Sequence, residues 1–268
     1  MSTKNTIELL GLKLDNLSSG ELLTEIENDL ESDKKARLVF VNVDVAVKAD
    51  HDSELKEIIN SSDYRMVDGM PVKWLADAKH LGLKEKVSGA DFVPLLCRMA
   101  AEKGYSVFIL GGADAAAEKA AKRLADDYKG IRIAGCYAPP MGFETDEAEV
   151  AKTCDIISRS RPDILIVCLG CPKQEKFIYE NSSRYDARIS VCAGATVDFL
   201  AGRIKRCPKW MSNAGLEWFY RFLMEPKRLF KRYFIDDLEV LKLIFRHHRQ
   251  TDRREEQKNI GCRKTKTV

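Results

Sequence analysis

The chain of 268 residues contains no apolar run of about eighteen residues, the length a membrane-spanning helix needs. Its start, Met1 to Leu10, carries no long apolar stretch behind a basic segment, so no secretory signal is expected. The full G-x-G-x-x-G string is missing, and with it the fingerprint of a dinucleotide site. Histidine is scarce, four in all; His80, His247 and His248 have no partners at ligand spacing and are expected at the surface. The eight cysteines do not read as a disulfide framework. Cys97, Cys136, Cys154, Cys168 and Cys192 lie in or beside apolar patterns, as small hydrophobes do. Cys168 and Cys171 form a C-x-x-C, but no second pair and no nearby His completes a zinc site. They read as a core and a loop thiol in a reducing, cytosolic setting. Repeats, low-complexity tracts and flexible linkers are also absent before residue 200.

What is present suits an α/β enzyme with an appendage. Hydrophobic residues make up 45% and charged residues 32%, enough for a real core. The net charge of +3 hides an asymmetry: residues 201–268 carry 18 Lys and Arg against 8 Asp and Glu, which leaves residues 1–200 seven charges negative. An acidic body with a basic end points to an anionic partner, whether nucleic acid, phospholipid or a phosphorylated substrate. From 37 to 198, short apolar runs alternate with helical patterns. Strands are expected at Arg37–Asn42, Tyr64–Val67, Tyr105–Leu110, Ile131–Ala134, Asp163–Leu169 and Arg188–Ala193. Helices are expected at Val45–Ile59, Ala115–Tyr128 and Thr145–Arg159. Strands apolar on both faces, each followed by a helix, predict a Rossmann-like, mostly parallel sheet with helices on both faces. Such sheets bind ligands at the carboxyl ends of their strands. That draws attention to Asn42, Asp68, Gly111, Gly112, Gly170, Lys173, Gln174 and Gly194.

Past residue 200 the character changes to a basic helical appendage. Gly202-Arg203-Ile204-Lys205-Arg206 is basic, Leu216–Met224 is aromatic-rich, and Pro226 suits the first turn of a new helix. From Pro226 onward a helical winding puts Leu229, Phe230, Tyr233, Val240, Leu241 and Ile244 on one side. Arg228, Lys231, Arg232, Lys242, Arg246 and Arg249 fall on the other. A basic amphipathic helix of this kind can lie in a membrane interface. The expected division is an α/β domain over 1–200, the appendage over 201–249 and a disordered polar tail over 250–268.

Each motif has a plain reading beside its chemical one. Asp68 stands at a strand end before Gly69, where a general base could accept a proton, or where a turn Asp could cap the next helix. Gly111-Gly112 could let a phosphate approach backbone N–H groups, or could be only a tight strand-to-helix turn. Gly170-Cys171-Pro172-Lys173-Gln174-Glu175 crowds polar groups at the ligand edge; Lys173 could meet a phosphate and Gln174 a sugar or base. Asp50-His51-Asp52, the one Asp-x-Asp string, lies at the end of a helical pattern, reads as loop and cap, and predicts no metal site. Arg221, Arg228 and Lys231 follow a helical rhythm that could clamp a diphosphate or face lipid headgroups.

Taken together these strings resemble the WecG/TagA/CpsF glycosyltransferases. The resemblance rests on Val67-Asp68-Gly69, Lys86-Val87-Ser88-Gly89-Ala90-Asp91, Phe108-Ile109-Leu110-Gly111-Gly112, Gly170 to Glu175, and Gly215-Leu216-Glu217-Trp218-Phe219-Tyr220-Arg221 with Glu225-Pro226, in the same order over about 7 to 245. It implies an inverting, metal-independent hexosyltransferase without cofactor. Its best-known members transfer N-acetylmannosamine from UDP to undecaprenyl-diphosphate N-acetylglucosamine in teichoic acid synthesis, at the cytoplasmic face of the membrane. It further implies Asp68 as base, Asn42 and Gln174 in the active site, and Arg221, Arg228 and Lys231 completing it at an anionic membrane surface. Lys86, Gly111, Gly112, Lys173, Arg203 and Arg206 complete the expected substrate-binding set. Phe40 stands where the teichoic acid enzymes have Thr, and Lys86 where they have Arg. The donor sugar therefore stays open. Other readings are a related transferase for capsule or exopolysaccharide, a nicotinamide oxidoreductase, and a non-catalytic module binding an anionic surface or nucleic acid. No nucleic-acid partner is expected; a homo-oligomer is left open.

Overall fold

A computed structural model describes residues 5–112, 115–208, 210–211, 215–231, 239–240, 242–244 and 246, with the side chains of 228, 229 and 231 outside the description. The chain begins with an antiparallel hairpin, Thr6–Leu9 (β1) and Leu12–Asp15 (β2). Leu10 and Gly11 turn it with φ of 54° and 73°, a two-residue connection of the kind that matches strand twist. Helix α1 (Ser19–Glu31) follows, closed at its start by a Ser18–Glu21 capping box. Leu22, Ile26 and Leu30 lie one turn apart and are fully buried, each contributing about 1.5–3 kcal/mol.

Six strands then build one parallel sheet: Ala36–Val41 (β3), Tyr64–Val67 (β4), Ser106–Gly111 (β5), Arg132–Tyr137 (β6), Ile164–Cys168 (β7) and Ile189–Cys192 (β8). Their order is β4-β3-β8-β7-β5-β6, so consecutive pairs wind outward to both edges and β7 and β8 fill the middle. The expected Rossmann-like parallel sheet is present. Alternation along the strands divides the core. Leu38, Phe40, Met66, Ile109, Ile166 and Val191 face one cluster with α1, α5 (Gly89–Lys103), α6 (Ala116–Asp127) and α9 (Thr196–Leu200). Val39, Val41, Val67, Leu110, Val167 and Cys192 face the other, with the hairpin, α2 (Val43–His51), α3 (Ser53–Asn60), α4 (Met70–Ala78), α7 (Glu147–Ser160) and α8 (Lys173–Asn181). Sequential burial on both faces is what unbroken apolar strands specify.

Three expectations need correction. The helix expected at Val45–Ile59 is two helices, because Asp52 leaves helical geometry at φ −125° and its Oδ1 accepts from the Leu55 N–H at 3.0 Å to cap α3. Asp52 is thus the expected cap, while Asp50 and His51 close α2. The strand expected at Ile131–Ala134 runs on to Tyr137; it is an edge strand, half-exposed, and its apolar pattern is correspondingly weak. The third concerns the appendage. Helix α10 (Glu217–Met224) and α11 (Pro226–Lys231) lie where the aromatic run and Pro226 put them. Residues 239–240, 242–244 and 246 are also helical, but Val240, Leu243 and Ile244 pack on the body's core, with Leu243 2% exposed. His51 meets Glu239 at 2.8 Å and Asp50 meets Arg246 at 2.5 Å beside them. Val240 and Ile244 of the expected apolar side thus meet protein, while Phe230 of the same side is exposed; a periodic stripe does not specify which apolar surface it will cover. Arg232, Tyr233, Leu241, Arg249 and the tail lie outside the described residues.

Candidate active site

The carboxyl ends of β3 and β4 are in register, Val41 opposite Val67, so Asn42 and Asp68 leave the sheet side by side. Asn42 is the N-cap of α2, its Oδ1 accepting from the Val45 N–H at 3.1 Å. Asp68 caps nothing. The N-cap of α4 is Gly69, at φ 87° with no side-chain cap bond, so the turn reading of Asp68 fails. The Asp68 carboxylate is left available.

Neighbouring segments are brought to Asp68 by backbone pairing. Asn16, just past the hairpin, accepts from the Lys84 N–H at 2.8 Å and donates to the Gly82 carbonyl at 3.0 Å. The Val87 N–H then donates to the Val67 carbonyl at 2.9 Å, which sets Lys86 beside the end of β4. Ser88 caps α5 and holds Asp91 at 2.6 Å; Lys86 Nζ is 3.2 Å from the same carboxylate, and Arg206 pairs with its other oxygen. From the appendage, Gly215 at φ 74° packs against Met70 and Trp74 of α4, so close that a Cβ would meet both at 2.9 Å. Helix α10 starts there and carries Glu217 and Arg221 to the same place.

Asp68 keeps a little solvent access but is deeply set, and burial pushes its carboxyl up to about 6. Lys86 opposes that rise most, Glu217 and Asp91 add to it, and Arg221 opposes it. A carboxyl poised near neutrality beside cations is suited to take a proton and leave it close by. Burial would raise Asp91 too, but the Ser88 hydroxyl, Arg206 and Lys86 outweigh it and hold Asp91 low. Arg206 also lies 4.0 Å from Glu217. Arg221 differs from these: its Nε is buried with no hydrogen-bond acceptor among the described residues.

Gln174 belongs to a second group. The strand-end turn after β7 has Gly170 at φ 77° and a cis Cys171–Pro172 peptide, and α8 begins at Lys173. Gln174 is 5% exposed and turned inward: its Oε1 accepts from the Gly194 N–H at 3.0 Å and its Nε2 donates to Glu175 Oε1 at 2.8 Å. Glu175 is 2% exposed, burial raises its carboxyl, and its Oε2 has no hydrogen-bond partner among the described residues. The Gln174 amide and the Cys171 thiol counter that rise. Lys48 of α2 donates to the Cys171 carbonyl and to Asp44, both at 3.0 Å.

The remaining expected residues are dispersed. Lys173 points outward and pairs with Glu144, which that contact holds low. Gly111 must be glycine, since a Cβ would sit 2.5 Å from the Cys168 carbonyl; Gly112 lies against Ala116 and Val197. They form the tight turn that admits this approach, and residues 113–114 beyond it are outside the described set. Arg203 sits 3.8 Å from Asp198. Arg228 and Lys231 lie on α11, with their side chains outside the description. Phe40 does not open onto the site: it is 6% exposed, packed on Phe92 at 6.2 Å beneath Gly89. Residue-by-residue reading did not single out Glu217 or Phe199, which no periodicity marks. The described cysteines are all free, and no group of three or more His, Cys, Asp or Glu among the described residues is placed to hold a metal.

Comparison with known proteins gives the family. The sequence model of the Glycosyl transferase WecG/TagA/CpsF family matches residues 7–254. An N-acetylglucosaminyldiphosphoundecaprenol N-acetyl-beta-D-mannosaminyltransferase of Bacillus subtilis is 31% identical over 188 residues, 70% of this chain and 71% of that protein. The protein of the same description from Bacillus spizizenii is 31% identical over 199 residues, 74% of this chain and 75% of that one. With a matching family model across nearly the whole chain, and a parallel sheet whose carboxyl edge carries the motif residues, the chain belongs to the WecG/TagA/CpsF family of glycosyltransferases.

Proposed function

We propose that this glycosyltransferase moves N-acetylmannosamine from UDP onto undecaprenyl-diphosphate-linked N-acetylglucosamine, in the making of a teichoic-acid-type surface polymer. The observation that carries the mechanism is Asp68, an uncapped, deeply set carboxyl raised to about 6 among cations. Asp68 takes the proton from the acceptor hydroxyl as that oxygen attacks the anomeric carbon from the face opposite UDP. The C–O bond to UDP breaks as the new one forms, so configuration inverts. Lys86 and Arg221 offset the charge that builds on the departing diphosphate, and no metal is invoked. Asn42, beside Asp68 in register, orients the sugar, while Gln174, its amide held between Gly194 and Glu175, braces the strand-end turn behind it. The donor and acceptor named here are those of the Bacillus relatives.

Attachment at the inner face of the membrane is supported by exposed apolar groups around α10: Trp74, Trp210, Trp218, Phe219, Leu223 and Met224. Among the described residues no helix is long and apolar enough to cross a membrane, so this would be a peripheral contact. A second donor remains in play because Lys86 offers a single ammonium, already shared with Asp91, where an Arg would offer a fork.

UDP release from a panel of UDP-sugars, with and without a lipid-diphosphate N-acetylglucosamine analogue and in EDTA, tests the proposal. Acceptor-dependent release from UDP-N-acetylmannosamine is expected. Release from a different sugar alone would move the enzyme to another polymer, and a requirement for added metal would overturn the metal-free mechanism.

A further inference from the structure

Phe199 lies on α9, the short helix after β8, half-buried at the sheet's carboxyl edge. Its ring has a guanidinium on it from each of two appendage residues: Arg206 Cζ is 5.3 Å from the centroid and Arg221 Cζ is 5.4 Å. The chain is folded back to allow this, since the N–H groups of Arg203 and Ile204 both donate to the Asp198 carbonyl, at 2.9 and 3.2 Å. Val197 anchors the helix, 1% exposed, against the Gly112 turn.

The two arginines are held differently. Arg206 is fixed from the other side by Asp91 and lies 4.0 Å from Glu217. Among the described residues Arg221 has no such tie at its Nε, and Leu216, the N-cap of α10, gives that helix no side-chain cap. The aromatic face is a directional contact that holds the Arg221 guanidinium, and such faces attract guanidinium groups more strongly as water is excluded. We propose that Phe199 is a positioning residue for the transfer reaction: its ring, bearing Arg206 and Arg221, fixes where the Arg221 guanidinium stands beside Asp68. The inference rests on the reading of Asp68 as the base.

The test compares Phe199→Leu, Phe199→Met and Phe199→Tyr in the full-length enzyme, with folding followed by thermal melting and rates measured across pH. Phe199→Leu should lower kcat/KM about tenfold, from the loss of a partly desolvated cation–π contact. It should also move the acid limb of the profile to higher pH. Asp68 is faced by Lys86, Asp91, Glu217 and Arg221; with Arg221 displaced, one of the two cations opposing its protonation is gone. Phe199→Tyr keeps the aromatic face and should stay within about twofold of the parent. If Phe199→Leu melts early, Phe199→Met, which fills the volume without a π face, is read in its place. An aliphatic variant with an unshifted acid limb and full rate overturns the proposal, as does a Tyr variant as damaged as Leu. Asp68→Asn separates the two readings. If it is inactive while the Phe199 variants are normal, only the positioning role falls; if it is fully active, the base assignment falls.

Discussion

Around Asp68, carboxylates and cations alternate: Lys86, Asp91, Arg206, Glu217 and Arg221 gather from three separate stretches of chain, partly open to solvent. Around Glu175, a few strands away on the same edge, a carboxyl, an amide and a thiol are closed off from water within one turn and the helix it opens. Both carboxyls are raised by burial, yet their surroundings differ. Asp68 has charges that can follow a proton's movement. Glu175 has a neighbour, Gln174, whose own amide is locked to Gly194. The lesson is that a raised carboxyl marks burial, and only mobile or exchangeable surroundings make it a candidate for chemistry. The first cluster should govern rate and the second stability.

The strongest way to break that division is Asp68→Asn. It should lower kcat by about 10²–10⁴-fold while leaving UDP affinity nearly unchanged, as measured by steady-state kinetics and calorimetry. In the parent enzyme kcat/KM should rise with pH through about 6 as Asp68 loses its proton. Next in size, Glu175→Ala should destabilise the fold by about 2–4 kcal/mol, through the cavity and the stranded Gln174 amide. Glu175→Gln should lie within about 1 kcal/mol of the parent if the carboxyl is neutral when folded. Denaturant midpoints decide this, and a Glu175→Gln as unstable as Ala would mean the charge itself is needed. Smaller is a gain. Folded Asp68 holds its proton to about pH 6, whereas its ordinary value is 3.8. Between those values the folded state binds more protons, so this stabilisation is present at low pH and lost as pH rises through 6. Asp68→Asn should therefore be more stable than the parent at pH 7, by at most about 3 kcal/mol. Smallest of all, Glu144→Gln breaks the exposed pair with Lys173 and should change stability by less than about 1 kcal/mol.

The sheet and its ligand edge were legible because apolar runs such as Asp163–Leu169 admit few other readings and because Gly111 and Gly170 punctuate them. Asp68 was legible as a position; the absent cap bond at Gly69 removes the turn reading and leaves the proposed base. The hairpin escaped notice: its strands have four residues each, and its work of holding segment 82–87 through Asn16 is long-range. Gln174 was placed correctly at the edge, but nothing in Pro-Lys-Gln-Glu tells that the amide turns inward while Lys173 turns out. The break at Asp52 was marked by the capping residue itself, masked by apolar periodicity that continues through it. Glu217 and Arg221 are brought beside Asp68 by tertiary contacts such as the packing of Gly215 on Trp74, which have no local signature.

That packing has a consequence for how the enzyme comes into being on the ribosome. Asp68 is synthesised within the first third of the chain, whereas Glu217 and Arg221 emerge in the last fifth. A nascent chain halted just short of Leu216 would already hold all eight strands, yet its carboxylate would lack the neighbours that tune it. The surroundings of the proposed base are thus assembled only after every strand of the sheet has been made.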